Sequence, residues 1–247
     1  MKIHPVYGGY ANTYLIESDE GIVAVDVGSR RAARQVMEQV RHVLKRDMND
    51  LKLITATHYH IDHIGGIPHL RSLFPRAEVN FHSRVGAYLR GEQKLAVPPF
   101  TRWFTGLLPV MMNMNGHGGN LIDGAMSAKA GIPLPFLRRR VSLGFQPLCN
   151  LEEGKPVPAM TAWELIATPG HTPDSISFLL RSEGVLISGD TILNMSGTGE
   201  VNRFCCSSKD IQESFERLCS FDIRSLYPGH GKPIINKTGL LEGVDRD

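Results

Sequence analysis

The chain has 247 residues and a formal net charge of +2, with 42% hydrophobic and 21% charged residues, an ordinary globular composition. A chain of this length buries a core without covalent staples, so disorder, a collagen-like fibre and a disulfide scaffold are excluded. The near balance of charge gives little drive for an obligate nucleic-acid binder, and ten histidines against four cysteines raise the question of whether the imidazoles are gathered.

The stretch from Met1 to Tyr7 has no apolar run and no small-residue cleavage site, so no secretory leader is read there. Cys149, Cys205, Cys206 and Cys219 form no C-x-x-C pair, and reduced thiols in a cytoplasmic protein are the expectation. The longest apolar run outside predicted strands, Leu107 to Met112, is broken by Pro109 and is far short of a membrane span.

In chain order, residues 12–17 and 22–27 flank Ser18-Asp19-Glu20-Gly21 and predict a hairpin. Ser29 is a candidate N-cap for a helix over 30–46, with Ala33, Val36, Met37, Val40, Val43 and Leu44 at helical spacing. Residues 51–57 read as a buried strand. A short helix with Ile67, Leu70, Leu73 and Phe74 stops at Pro75. A strand over 77–81 follows, then a helix to Leu89 capped by Ser83. The last hundred residues predict strands at 162–167, 175–180, 185–187 and 225–227. In the second of these, Ile176, Phe178 and Leu180 point inward. One helix face carries Ile211, Phe215 and Leu218.

Between the halves, residues 92–148 differ in composition. Eight of the 57 are charged, six are prolines and four are methionines, too apolar for a solvated linker and too broken for one long helix. Short helices forming a lid or pocket wall, or a packed insertion or dimer segment, fit that composition. Trp103, Phe104, Leu107, Leu108, Met111 and Met112 could line an acyl pocket or form a small core. His117 lies in a glycine-rich loop, and Arg138-Arg139-Arg140 is a dense basic run.

The histidines are gathered. Thr57-His58-Tyr59-His60-Ile61-Asp62-His63-Ile64-Gly65-Gly66 places four ligand-type residues within six positions, after a strand and before a helix. Alternation at a strand end lets His58 and His60 face one ion, and the turn into the helix swings Asp62 and His63 toward a second point. Gly65 and Gly66 are read as permitting a tight turn. Such density of imidazole and carboxylate is costly to bury without a ligand. His171 in Pro-Gly-His-Thr, Asp190 in Ser-Gly-Asp-Thr and His230 in Pro-Gly-His-Gly each follow a predicted strand. Tyr59, inside the metal loop, either contacts substrate or packs beside it. His4, His42, His69 and His82 are assigned no role.

In these residues, His58-x-His60-x-Asp62-His63 and then His171, Asp190 and His230 in the same order, the sequence resembles the metallo-β-lactamase-fold hydrolases. The resemblance covers nearly the whole chain apart from 92–148. It implies one domain over 1–247 with that insertion, α/β in class and built as a four-layer αββα sandwich, with Asp26 in a structural role near the site. It also implies His58, His60 and His171 on a first metal, Asp62, His63 and His230 on a second, and Asp190 bridging. Two divalent ions in such sites lie about 3.5–4 Å apart and share a hydroxide that attacks the substrate, with Asp62 as the proton handler. Imidazole and carboxylate ligands suit Zn²⁺, with Fe²⁺ and Mn²⁺ as alternatives.

Asp190 stands where β-lactamases proper carry Cys or Ser, which points away from antibiotics. Too few residues follow His230 for the glutathione-gripping domain of glyoxalase II, and Leu193 stands where quorum-quenching lactonases place Tyr. The resemblance therefore implies hydrolysis of a small-molecule ester, thioester or lactone. The alternatives are an RNase Z-like phosphodiesterase, with Arg138-Arg139-Arg140 as exosite, and a mononuclear iron persulfide dioxygenase. A small-molecule substrate is the expected partner, with a homodimer through 92–148 as a second expectation; neither nucleic acid nor a membrane is expected.

Overall fold

In a computed structural model the structure describes residues 1–102 and 142–246, and these divide into two compact units. Most of the 92–148 segment, including Trp103, Phe104, Leu107, Leu108, Met111, Met112, His117 and Arg138-Arg139-Arg140, lies outside the described residues, as do the roles expected of it.

The first unit takes in residues 1–95, 142–151 and 158–160 of those described. Its six-stranded sheet runs β1 (Lys2–Val6), β2 (Thr13–Ser18), β3 (Gly21–Val25), β4 (Leu51–Thr55), β5 (Glu78–His82) and β6 (Leu148–Leu151), in that order. The predicted hairpin is β2–β3, with Ser18 opposite Gly21. β1 pairs antiparallel with β2, whereas β3 to β6 are parallel neighbours. β1 went unread because His4 and Pro5 interrupt its apolar alternation. β6 went unread because it sits at the end of the segment taken as an insertion. The described flanks of that segment belong to the core: Leu95 and Leu143 are buried with Phe74, Phe81 and Tyr88.

Helix α1 (Arg30–Glu38) begins where expected, with the Ser29 hydroxyl accepting from Ala32 N at 3.0 Å. It continues as a π-helical turn, Gln39–Val43, and ends at Leu44 and Lys45, the latter with φ +52°. The wide turn rotates later residues off the apolar stripe, so Val43, expected inward, is 62% exposed. α2 (Ile61–Ile64) and α3 (Ile67–Leu73) precede β5, and α4 (Val85–Leu89) follows it. Ser83 does not cap α4 with its side chain. The N-cap is Arg84, and Ser83 contributes its carbonyl to Gly86 N.

The second unit takes in 96–102, 152–157 and 161–246 of the described residues. It contains a one-turn helix α5 (Phe100–Arg102), the strands β7 (Glu164–Ala167), β8 (Ile176–Leu180), β9 (Val185–Gly189) and β12 (Ser225–Pro228), a small antiparallel pair β10 (Ile192–Leu193) and β11 (Glu200–Val201), and helix α6 (Ser208–Leu218). Its main sheet has the order β12-β9-β8-β7. All five residues of β8 are buried, so the expected one-sided alternation does not hold: this central strand is covered on both faces. Ile211, Phe215 and Leu218 of α6 do form the predicted inward stripe. β12 is parallel to β9, while β8 is antiparallel to both β9 and β7. The carboxyl ends of β7, β9 and β12 therefore share one sheet edge.

Candidate metal centre

Every sequence-predicted ligand follows the carboxyl end of a strand, the edge at which parallel sheets place their sites. In the first unit Asp26 follows β3, and the run from His58 to His63 follows β4. These strands are parallel neighbours, so both segments emerge together.

Asp26 is fully buried, with φ +59°, a left-handed conformation that Asp tolerates better than most side chains. Its carboxylate accepts from Thr57 N at 2.8 Å and from Thr57 Oγ1 at 2.9 Å, and it lies 3.1 Å from His63 Nδ1. The Thr57 hydroxyl has one proton, committed to Asp26, so its contact of 3.2 Å with His58 Nδ1 makes the imidazole the donor. That tautomer leaves the Nε2 lone pair of His58 available to an ion.

The rings of His58 and His60 lie 4.7 Å apart and those of His58 and His63 4.1 Å apart. The ligand atoms pair His58 with His60, His58 with His63, and Asp62 with His63, each within 4.8 Å. The imidazoles are buried, and the Asp62 side chain retains 14% exposure with Oδ2 3.7 Å from His63 Nε2.

The glycines act by size. Gly66 has φ −91°, so the tight turn expected of it needs no special backbone. A Cβ there would lie 2.1 Å from the Ser29 carbonyl oxygen, and one on Gly28 would lie 1.6 Å from that of Asp62. The start of α1 is thereby pressed onto the loop that carries His58 to His63. Tyr59 is buried and meets Phe81 edge-on at 5.4 Å; it packs.

The second unit gathers the other three residues at one sheet edge. His171 Nε2 lies 3.5 Å and His230 Nε2 3.4 Å from Asp190 Oδ2. His171 Nδ1 donates to the Phe204 carbonyl at 2.6 Å, which again leaves the proton off Nε2. Asn202 Oδ1 accepts from Phe204 N at 2.9 Å, and its amide nitrogen lies 3.1 Å from His171 Nδ1. Cys206 N and Ser207 N donate to the Gly170 carbonyl, at 2.8 and 3.0 Å, and clasp the loop before His171. Gly229 N donates to the Gly189 carbonyl at 2.7 Å, tying the His230 loop to that of Asp190.

Sequence reasoning missed Thr57, Asn202 and the Phe204 carbonyl. Thr57 had a signal, since it immediately precedes the cluster at a strand end. Asn202 and Phe204 had none, because they are far from His171 in sequence and one acts through its backbone. His4 and His42, assigned no role, pair with Glu17 and Glu38 away from the cluster.

The described residues thus include His and Asp groups that could hold metal ions. The sequence pattern of the metallo-beta-lactamase superfamily matches residues 6–230. The chain belongs to that superfamily. As a member of the metallo-beta-lactamase superfamily it is a metal-dependent hydrolase, the class its sequence predicts, with the α/β fold expected. It is 26% identical over 252 residues to the probable metallo-hydrolase YflN of Bacillus subtilis (strain 168), covering 95% of this chain and 86% of that one. It is 25% identical over 237 residues to the atrochrysone carboxyl ACP thioesterase of Aspergillus fumigatus, covering 95% of this chain and 55% of the relative. Among solved structures the BLEG-1 B3 metallo-beta-lactamase superposes with a TM-score of 0.62 at 18% identity, covering 94% of this chain and 93% of that chain, a likeness of fold. Among the described residues no helix is long and apolar enough to cross a membrane.

Proposed function

We propose that the two sets of ligands serve one dinuclear centre and that the chain hydrolyses a thioester. In this reading His58, His60 and His171 would hold one divalent ion, Asp62, His63 and His230 would hold a second, and Asp190 would be a ligand common to them. The observation that supports it is the hydrogen bonding of Nδ1 in His58 and His171, which leaves Nε2 of each with the lone pair that a metal ligand needs. Zn²⁺ suits the donors, and Fe²⁺ and Mn²⁺ are compatible with them. Bound there, divalent ions supply a water acidic enough to attack near neutral pH and polarise the carbonyl oxygen.

The chain's own residues do the rest. Asp62, partly exposed beside His63, takes a proton from the attacking water and passes it to the departing sulfur. The C–O bond forms, the C–S bond breaks, and the products are a carboxylic acid and a thiol. The thioester is favoured over other acyl substrates because the full ligand set, with Asp at 190, is joined to 95% coverage by a relative described as a thioesterase acting on an acyl carrier protein. Four free cysteines support a cytoplasmic setting.

Metal analysis of purified protein tests the centre: about two ions per chain are expected, and His60→Ala and Asp190→Ala should each lose metal and activity together. A thioester, an aliphatic lactone, a phosphodiester and a persulfide then test the chemistry. Turnover confined to the persulfide with one iron bound, or to the phosphodiester, overturns the reading.

A further inference from the structure

Residues 30–46 carry six Lys and Arg against one acid, Glu38, a local charge of +5 in a chain whose total is +2. Arg30, Arg31, Arg34, Arg41 and Lys45 are all exposed. Within α1 and the turn that continues it, Arg30, Arg34, Glu38 and Arg41 follow at helical spacing, so they form one stripe opposite Ala32, Ala33, Val36 and Val40, which are buried. The stripe begins at the metal loop: Gly28 rests on the Asp62 carbonyl, and Gly66 N donates to the Val27 carbonyl at 2.7 Å. A partner seated on the first turn of α1 is therefore delivered to the edge that carries His58 to His63.

We propose that this stripe docks an acidic protein domain that carries the acyl group as a thioester. The inference rests on the thioesterase reading and adds what presents the substrate. Charge complementarity selects the class of partner, since a row of guanidinium groups attracts surface carboxylates and steers their encounter. Guanidinium groups also bind phosphate, which makes RNA the competing occupant. RNA is disfavoured on two grounds. The exposed large apolar side chain on this segment is Val43, and its one exposed ring, His42, is paired with Glu38 at 3.4 Å, so little base-stacking surface is offered. The whole chain's charge of +2 gives a weak counterion-release drive.

The test compares two octanoyl thioesters on the full-length metal-loaded enzyme: octanoyl-N-acetylcysteamine, and octanoyl phosphopantetheine on an acidic bacterial acyl carrier protein. For the triple variant R30E/R31E/R34E, kcat/KM toward the carrier-borne thioester should fall by about tenfold or more at low salt, the scale of electrostatic steering. Turnover of the free thioester should stay within about twofold of the parent, and the parent's preference for the carrier should shrink as salt rises. Acidic residues in the first turn suit the helix dipole, and circular dichroism checks that the variant folds. If neither thioester is hydrolysed, the thioesterase reading fails. If the free thioester is hydrolysed and the substitutions leave the carrier-borne rate unchanged, docking fails alone. Inhibition of carrier turnover by a single-stranded RNA 20-mer at concentrations where unloaded carrier protein does not compete would assign the stripe to RNA and overturn the proposal.

Discussion

The first unit draws four ligand-type side chains from six consecutive residues, whereas the second draws three from separate loops. The difference lies in what holds each set. In the first unit one buried carboxylate, Asp26, serves Thr57 directly and His58 through it, and lies beside His63. In the second, the shared direction of β7, β9 and β12 brings the loops together, and backbone groups do most of the positioning: the Phe204 carbonyl on His171, Cys206 N on Gly170, Gly229 N on Gly189. A contiguous cluster can hang on one side chain. A dispersed one needs many weaker ties.

The largest effect should come from testing the single anchor. Asp26→Asn keeps a residue that tolerates the left-handed backbone but leaves one acceptor oxygen where two were used. Leaving a buried donor unsatisfied costs about 1–3 kcal/mol, a drop of several degrees in Tm for a chain of this size. Metal content should fall with it, because His63 and Thr57 lose their common partner. A variant with parental Tm and metal content would break the contrast between the units.

An intermediate effect is expected from the second unit. Asn202 touches His171 but acts chiefly by holding the Phe204 backbone whose carbonyl receives Nδ1–H. Asn202→Ala should weaken metal binding by about 10–100-fold, the usual range for groups that orient a ligating histidine, while Tm of the metal-free protein moves less than in Asp26→Asn. Titration with Zn²⁺ under a competing chelator reads the affinity. Equal loss of metal-free stability in both variants would show that the second unit also hangs on one side chain.

The same contrast explains what could be read from the sequence. The cluster from His58 to His63 was legible because its density has no cheap structural explanation. His171, Asp190 and His230 were legible only jointly, through their order and the Gly beside each. Hairpin β2–β3, the Ser29 cap and the stripe of α6 were legible because local spacing determines them. The double coverage of β8 and the pairing of β6 with β5 were not, since each is decided by residues distant in sequence, and the π-helical turn that turns Val43 outward was not, since its residues carry the same apolar spacing as the α-helix before it. The basic face of α1 was legible as well, because the helical spacing that gathers Ala33, Val36 and Val40 on one side sends Arg and Lys to the other.

If the second unit depends on many backbone ties, removing a well-formed surface ion pair from it should matter little. Arg217 donates through its two terminal guanidinium nitrogens to the Glu153 carboxylate, which also accepts from Ala167 N at 3.0 Å, and so fastens 152–157 to α6 and β7. The Arg217 hydrogen bonds hold the Glu153 carboxyl below its ordinary value of 4.5, against an opposing push from burial. A depressed carboxyl stabilises the fold above its unfolded-state pKa, and that contribution is lost as pH falls through the folded-state value. Both side chains are more than a third exposed, so solvent screening limits the pair to about 0.2–1 kcal/mol. Glu153→Gln should therefore destabilise the protein by that amount, equally at pH 7 and pH 5.5, with the gap to the parent closing only below pH 4.5. Urea unfolding at the three pH values measures it. A gap that widens on acidification would reverse the sign of the linkage, and a loss comparable to that of Asp26→Asn would place a second single anchor in the dispersed half.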